Sequence, residues 1–264
     1  MAFRQQDEDR PAISRPEDIM LAAQLAAALE LSSWPKPGNV HRMADLGEKT
    51  YERFLAGSLA IGPACLKAAM KGQAVGMGMM RPCDVGLGSL IEEAVRDDGA
   101  WQACGPTHMG YVLLCIPLAA SAGLLLGEGA EVSIRSLREG FSLMLEAAGV
   151  QDAIGLYRAL KLTASTKLGR LRPGAGLPDV LSERAEEELL ERGLTLLDVL
   201  KLSSKWDLVA REACSSLRLC AEVGLPALRR GLEEHGLLNV AIVNTYLSLL
   251  AEAEDTHVAR AWGL

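Results

Sequence analysis

The stretch that decides the fold is Met109–Gly127, MGYVLLCIPLAASAGLLLG, which contains no charged residue. It is nearly long enough to cross a membrane, but it lacks flanking Lys or Arg, contains Pro117 and is rich in Ala and Gly. It also begins directly after Thr107-His108, a polar pair that a membrane anchor does not need. A helix that is apolar on all sides is typical of the buried centre of a helical domain. We therefore predict a buried central helix here and no contact with a membrane.

The rest of the composition agrees with a helical protein. Hydrophobic residues make up 49% of the 264 residues, but aromatic residues only 4%, and a core of Leu, Ala, Val and Met suits helices better than strands. Apolar positions recur with helical spacing, and no segment shows the sustained alternation of apolar and polar residues that is typical of a β-strand. We predict an all-α fold, a compact single-domain bundle of helices around the central one. Residues 1–15 form a flexible N-terminal tail in this prediction, and 16–264 form the single helical domain.

Proline and glycine set the expected helix boundaries. The first helix ends at Trp34-Pro-Lys-Pro-Gly38, because proline cannot continue a helix. We expect one unbroken helix from Tyr51 to Gly72, and four amphipathic helices after Glu183. Between them, Thr163–Asp179 interrupts the helical pattern with glycines and prolines, as functional loops often do.

Charge and cysteine content exclude some classes of protein. The formal net charge is -7 and no cluster of Lys and Arg is present, which argues against a nucleic-acid-binding protein. The six cysteines include no CxxC pair, and the N-terminus is polar and charged. We therefore expect reduced thiols and a cytoplasmic location. Homo-oligomerisation is left open.

The first candidate loop is Lys36-Pro-Gly-Asn-Val-His-Arg42, which three carboxylates follow: Asp45, Glu48 and Glu52. A Pro-Gly turn exposes backbone N–H groups, and the charges of Lys36 and Arg42 suit phosphate. Magnesium is usually held by one or two carboxylates together with substrate phosphates. An ordinary helix-ending turn with solvated charges explains the spacing equally well.

Two further segments carry polar residues. Gly105-Pro-Thr-His-Met-Gly110 begins the central helix, where free N–H groups favour an anion and His108 can donate a hydrogen bond or move a proton. Simple capping by Thr107 is the alternative, and spacing alone favours it. The second segment combines the 163–179 loop with Trp206–Glu212. There Asp207 and Arg211 lie four residues apart on one helical face, so an intrahelical ion pair is the default explanation.

Together these segments resemble the triphosphoribosyl-dephospho-CoA synthase family. Lys36-Pro-Gly-Asn-Val-His-Arg42 is similar to its KPG-x-V motif, and the string KPGNVHR…D…TYERFLAGS…IGP is closer still to the archaeal and environmental branch. Pro106-Thr-His-Met-Gly110 resembles the family's NTHKG motif or the NTNLG of that branch. Trp206–Glu212 resembles RDxIAREY, and Asp255-Thr-His-Val-Ala-Arg260 resembles DTLIARK. The resemblance covers about residues 18–262.

The resemblance implies an all-helical transferase that moves a triphosphoribosyl group from ATP to a hydroxyl of dephospho-CoA and releases adenine. Three positions depart from the family motifs, namely Pro106 in place of Asn, Met109 in place of Lys, and His41 in place of Asp. Two alternatives therefore stay open. One is a related ribosyl transfer in the synthesis of a methanopterin-type one-carbon carrier. The other is a nucleotide-binding protein without catalytic activity.

Motifs and resemblance together define the predicted site. The candidate catalytic residues are His41, Asp45 and His108. The candidate nucleotide-binding residues are Lys36, Gly38, Asn39, Arg42, Thr107, Gly110, Lys167, Asp207 and Arg211. The candidate ligands for Mg²⁺ are Asp45, Glu48 and Glu52. We expect the first loop, Thr107 and His108 to converge on one cleft.

Overall fold

The structure is a computed structural model that describes residues 13–101, 105–163, 176–256 and 258–259. Within these ranges it contains helices and no β-strand, apart from two isolated bridges in the loop after the first helix. The helices are α1 (Pro16–Ser32), α2 (Tyr51–Ala60), α3 (Gly62–Gly76), α4 (Leu87–Ala100), α5 (Met109–Glu128), α6 (Ile134–Ala147), α7 (Val150–Thr163), α8 (Ala185–Arg192), α9 (Leu196–Ser203), α10 (Leu208–Cys214), α11 (Leu225–His235) and α12 (Leu238–Glu252). A 3₁₀ turn (Pro82–Asp84) and a π-helical turn (Cys220–Gly224) complete the set. The all-α prediction is confirmed.

Helix α5 is the buried centre of the bundle. By length and composition it could cross a membrane, but 67% of its most apolar stretch is buried inside the protein. Its residues Ile116 and Ala120 are fully buried, and α5 packs against α1, α3, α4, α6, α7 and α10. Burial among other helices therefore accounts for its apolar composition, and the prediction of a buried central helix is confirmed.

Helices α3 and α5 lie side by side because glycines form their contact. A Cβ atom placed on Gly72 would lie 1.9 Å from the backbone oxygen of Ala120, and one on Gly123 would lie 2.0 Å from that of Ala69. A Cβ on Gly76, one turn further along α3, would meet the backbone of α5 one turn further along that helix as well. The two helices therefore run in the same direction. With no side chain between them, the backbones themselves are in van der Waals contact.

A second close contact sets the position of α4. A Cβ on Gly88 would lie 2.1 Å from the backbone oxygen of Asp152 in α7. The buried carboxylate of Asp152 accepts hydrogen bonds of 2.8 Å from the N–H groups of Gly88 and Gly149. The start of α4 is therefore anchored to the start of α7, and α4 runs from there toward the first residues of α5.

The predicted helix from Tyr51 to Gly72 is wrong in two respects, because it is divided at Ile61 into α2 and α3, and α3 continues to Gly76. Pro63 is the cause of the division, since proline has no N–H and its ring clashes with the carbonyl four residues earlier. That carbonyl belongs to Leu59 and accepts a hydrogen bond of 2.6 Å from Nε2 of Gln24 instead. The break lets α2 turn away from α3.

Between residues 176 and 256 the structure has five α-helices, α8 to α12, where the sequence led us to expect four after Glu183. A tight turn separates α10 from the π-helical turn, and Ser216 and Leu217 adopt positive φ angles of 53° and 60° there. The buried carboxylate of Glu212 accepts the N–H groups of Leu219 (3.0 Å) and Cys220 (2.7 Å). It thereby satisfies free donors at the start of the next helix.

Candidate active site

The centre of the candidate site is Asp98, which is completely buried at the end of α4. Its Oδ2 atom accepts the N–H groups of Thr107 (2.6 Å) and His108 (2.8 Å), and its Oδ1 atom accepts the hydroxyl of Thr107 (3.0 Å). Hydrogen bonds to a carboxylate are stronger than those between neutral groups. Asp98 therefore fixes the residues that lead into α5 against the end of α4.

His108 is held through both of its ring nitrogens. Nδ1 lies 2.8 Å from Oγ1 of Thr107, and Nε2 lies 3.1 Å from Oγ of the buried Ser58 in α2. The ring is 8% exposed and packs against the rings of Phe54 (5.6 Å between centroids) and Tyr111 (6.4 Å). The orientation of the imidazole is therefore set by its neighbours before any substrate binds.

Tyr111 keeps its own proton in this setting. Burial, and then the neighbouring Cys115 and Cys65, raise the pKa of its phenol. The hydroxyl donates a hydrogen bond of 2.7 Å to the carbonyl of Ala23 in α1. Tyr111 thus closes one side of the histidine pocket as a neutral group.

The two hydroxyl groups around His108 each have a second acceptor within reach. Ser58 can donate to the carbonyl of Phe54 at 3.0 Å, and the Thr107 hydroxyl can donate to Asp98. Each hydroxyl has one proton, which it can instead turn toward the ring of His108. Ser58 and Thr107 can therefore each act toward the ring as a donor or as an acceptor.

A glycine allows these groups to meet. A Cβ on Gly57 would lie 2.2 Å from Oδ1 of Asp98, 2.7 Å from Nδ1 of His108 and 2.8 Å from Oγ1 of Thr107. Only a residue without a side chain lets the backbone of α2 approach so closely. Sequence reasoning missed Gly57, Ser58 and Asp98.

A signal for Asp98 was present in the sequence. The buried positions of α4 include Ile91, Ala94 and Val95, and Asp98 continues them at helical spacing. A carboxylate on an apolar helical face must find partners inside the protein. Ser58 and Gly57 carried no comparable signal, because small residues are common in helix contacts.

The start of α5 differs in detail from what we expected. Thr107 does not cap the helix, since His108 is the N-cap residue and no side chain caps it. The Thr107 hydroxyl bonds to Asp98 and His108 instead, and Asp98 places a carboxylate where a bound anion was expected. Gly110 lies in the first turn next to α10, where a Cβ would be 3.3 Å from Cγ2 of Val209.

The first loop begins with a tight turn. The N–H of Asn39 donates to the carbonyl of Lys36 (3.3 Å), and Gly38 has a φ of 77°. Pro37 and Gly38 at the two central positions are typical of a type II turn. The ammonium of Lys36 is buried and donates to the carbonyl (2.6 Å) and the carboxylate (2.5 Å) of Glu30 at the end of α1.

Three other candidates in this loop have a local partner. The guanidinium of Arg42 lies 5.6 Å from the ring centroid of Trp34. Nδ1 of the buried His41 accepts the N–H of Met43 (3.2 Å), and Oδ1 of Asp45 accepts the N–H of Tyr51 (2.9 Å). The side chains of Glu48 and Glu52 are exposed. Among the described residues, no three or more His, Cys, Asp or Glu side chains form a group that could hold a metal ion.

Helix α2 connects this loop with the histidine pocket. Its first residue, Tyr51, bonds to Asp45 through its N–H and to Ser32 through its hydroxyl (3.0 Å), whereas Ser58 bonds to His108. Ser58 lies seven positions after Tyr51 in the α-helix, a rise of about 10 Å. The loop and His108 therefore lie at the two ends of one short helix. Their convergence on one cleft stays a prediction.

The third segment contributes less than its motifs suggested. Lys167 lies outside the described residues. Asp207 is the N-cap of α10 and accepts the N–H of Ala210 (2.9 Å), and Nε of Arg211 donates to the carbonyl of Ser204 (3.2 Å). Thr256, from the last motif, accepts the N–H of Leu208 (3.0 Å). The two C-terminal motifs therefore meet at the start of α10.

An all-helical domain in which a buried histidine lies inside a preformed hydrogen-bond network is suited to catalysis, and it points to an enzyme. The chain belongs to the CitG family, described as ATP:dephospho-CoA triphosphoribosyl transferase, whose family model matches residues 16–264. It is therefore a transferase that acts on small molecules. Neither a comparison with curated proteins nor one with solved structures found a significant match.

Proposed function

We propose that this protein transfers the triphosphoribosyl group of ATP to a ribose hydroxyl of dephospho-CoA and releases adenine. Membership of the CitG family supports the reaction class. The observation that carries the proposal is the hydrogen-bonded chain from Asp98 through Thr107 and His108 to Ser58. This chain can store or supply one proton at the start of α5.

The chemistry requires such a group. Breaking the bond between ribose and adenine builds positive charge at the anomeric carbon, as in glycoside hydrolysis. Adenine must leave with a proton, and the acceptor hydroxyl must lose one. His108 is the residue for this exchange, and Asp98 orients it through the Thr107 hydroxyl. Thr107 is partly exposed and gives the chain an outlet to the substrate.

The first loop is the proposed phosphate site. Gly38 and Asn39 supply the turn and Arg42 supplies positive charge, whereas the buried ammonium of Lys36 is already paired with Glu30. The carboxylates do not fit a metal site built from protein ligands alone, but Asp45 and Glu52 fit an ion held by one or two carboxylates and the phosphates. A bound Mg²⁺ would neutralise phosphate charge there.

We predict that Glu52→Gln and Asp45→Asn weaken the binding of Mg-ATP by about tenfold or more, on the order of 1.4 kcal/mol. Glu52 is exposed, and Asn at position 45 keeps the oxygen that accepts the N–H of Tyr51. Both variants should therefore unfold at nearly the wild-type temperature. Calorimetric titration with Mg-ATP measures the affinity, with Glu233→Gln at an exposed position of α11 as control. Wild-type affinity in both variants would show that the metal lies elsewhere.

Product analysis tests the proposed reaction itself. The protein is incubated with ATP, Mg²⁺ and dephospho-CoA, and adenine and the product are measured by chromatography and mass spectrometry. We expect adenine and triphosphoribosyl-dephospho-CoA in equal amounts, and no adenine without the acceptor. Adenine release only with a pterin acceptor would favour the one-carbon-carrier alternative. Binding of ATP without any adenine release would favour a protein that only binds nucleotides.

A further inference from the structure

Two side chains of α12 bind the turn that begins the first loop. The amide of Asn239 accepts the N–H of Trp34 (3.1 Å) and donates to the carbonyl of the same residue (2.8 Å). The hydroxyl of Tyr246 donates to the carbonyl of Pro37 (2.7 Å). These partners are 205 and 209 positions apart in the sequence. The C-terminal helix therefore holds a turn that lies near the other end of the chain.

Burial of apolar surface does not explain this contact. Helix α12 is apolar, yet Ala241 and Val243 are its buried residues, and neither belongs to the main hydrophobic core. Among the described elements, α12 packs chiefly against α11 and the π-helical turn. Hydrogen bonds of Asn239 and Tyr246 thus provide a specific connection from α12 to the N-terminal turn.

The bond from Tyr246 also determines how the turn faces solvent. The peptide between Pro37 and Gly38 is trans, so its C=O and N–H point in opposite directions. Because Tyr246 holds the Pro37 carbonyl, the N–H of Gly38 points to the other side. No atom lies within 4 Å of a Cβ placed on Gly38, and its N–H donates to no acceptor among the described residues.

We propose that Asn239 and Tyr246 are positioning residues that hold the 34–39 turn so that the Gly38 N–H meets a phosphate oxygen of the nucleotide. Backbone N–H groups in turns are common ligands of phosphate, and a bond to an anion is strengthened by its charge. That this phosphate belongs to ATP rests on the proposed function. The orientation of the turn does not depend on the proposed function.

The test uses Tyr246→Phe, which removes one hydroxyl, and Asn239→Ala, which removes the paired bonds to Trp34. Asn244→Ala is the matched control, because Asn244 lies on the same helix with its side chain exposed. The measurements on the full chain are hydrogen exchange of the 34–39 segment, the affinity for Mg-tripolyphosphate, the unfolding temperature, kcat, and the KM values for ATP and dephospho-CoA.

We expect faster exchange of the 34–39 segment in both variants and about tenfold weaker binding of Mg-tripolyphosphate. KM for ATP should rise by a similar factor, whereas kcat and the KM for dephospho-CoA should stay within about threefold. A purely structural role would instead lower the unfolding temperature and reduce kcat. Asn244→Ala should match the wild type. If Asn239→Ala fails to fold, Tyr246→Phe decides alone.

Other outcomes would overturn either the positioning role of Tyr246 or the proposed function. Unchanged exchange in Tyr246→Phe overturns the proposal, and so does faster exchange with unchanged affinity for tripolyphosphate. A wild-type protein that does not bind tripolyphosphate also overturns it. A wild-type protein that binds tripolyphosphate but releases no adenine from ATP and dephospho-CoA refutes the proposed function. In that case weaker tripolyphosphate binding by Tyr246→Phe still supports the positioning role.

Discussion

Asp98→Asn is expected to reduce kcat by about 10³-fold while the protein stays folded. The amide oxygen must replace Oδ2, because two backbone N–H groups require an acceptor there. The amide nitrogen then faces Oγ1 of Thr107 and donates to it. The Thr107 hydroxyl must turn its proton toward Nδ1 of His108, so the ring can no longer be protonated at that nitrogen.

The measurement is steady-state adenine release with ATP and dephospho-CoA over a range of pH. KM for ATP should change by only a few fold, and the free energy of unfolding should fall by about 1–2 kcal/mol, since a charged acceptor becomes neutral. Asp97→Asn is the matched control, because Asp97 is adjacent but partly exposed. A kcat within threefold of wild type in Asp98→Asn would contradict the proton-transfer role of the network.

Gly72→Ala is expected to destabilise the protein by about 3 kcal/mol. The added Cβ would lie 1.9 Å from the carbonyl oxygen of Ala120, and a backbone carbonyl inside α5 cannot rotate away. The helices α3 and α5 must therefore move apart along a contact that Gly76, Gly123 and Gly127 also keep close. Alanine favours an exposed helix by up to about 1 kcal/mol over glycine, which is too little to offset the clash.

Thermal and urea unfolding measure this effect, and we expect a decrease in the unfolding temperature of roughly 6–12 °C. The control is Gly224→Ala, where a Cβ would make an ordinary contact of 3.6 Å with Leu249. That variant should be as stable as the wild type or slightly more stable. Equal stability of Gly72→Ala and the wild type would mean that α3 and α5 are further apart than described.

Much of the candidate site could be found from the sequence, because chemical groups in loops are visible there. The turn at Lys36–Asn39 was predictable, since Pro37 and Gly38 leave the backbone few conformations. Thr107 and His108 were visible because they precede an apolar helix. Asp98 and Ser58 were not found, since their importance depends on which helices meet at His108.

The charged candidates show that the partners of a visible residue are also decided by the tertiary structure. The sequence suggested phosphate binding by Lys36, but only the structure shows that its ammonium is buried and bonded to Glu30. Asp207 and Arg211 have the spacing of an intrahelical ion pair. In the structure Asp207 caps α10 and Arg211 bonds to the Ser204 carbonyl. Spacing along a chain restricts possible partners but does not choose among them.

By itself the sequence determined the class of fold and the central helix, because local spacing and the absence of charge in Met109–Gly127 leave burial among helices as the stable solution. It also determined that α1 ends before the segment 33–38, since proline disrupts a helix through its local backbone geometry. Only the tertiary structure decided that Asn239 and Tyr246 hold the first turn and that Asp98 binds Thr107 and His108. Those contacts join residues far apart along the chain or on different helices, and they depend on how closely glycines such as Gly57 and Gly72 allow the helices to approach.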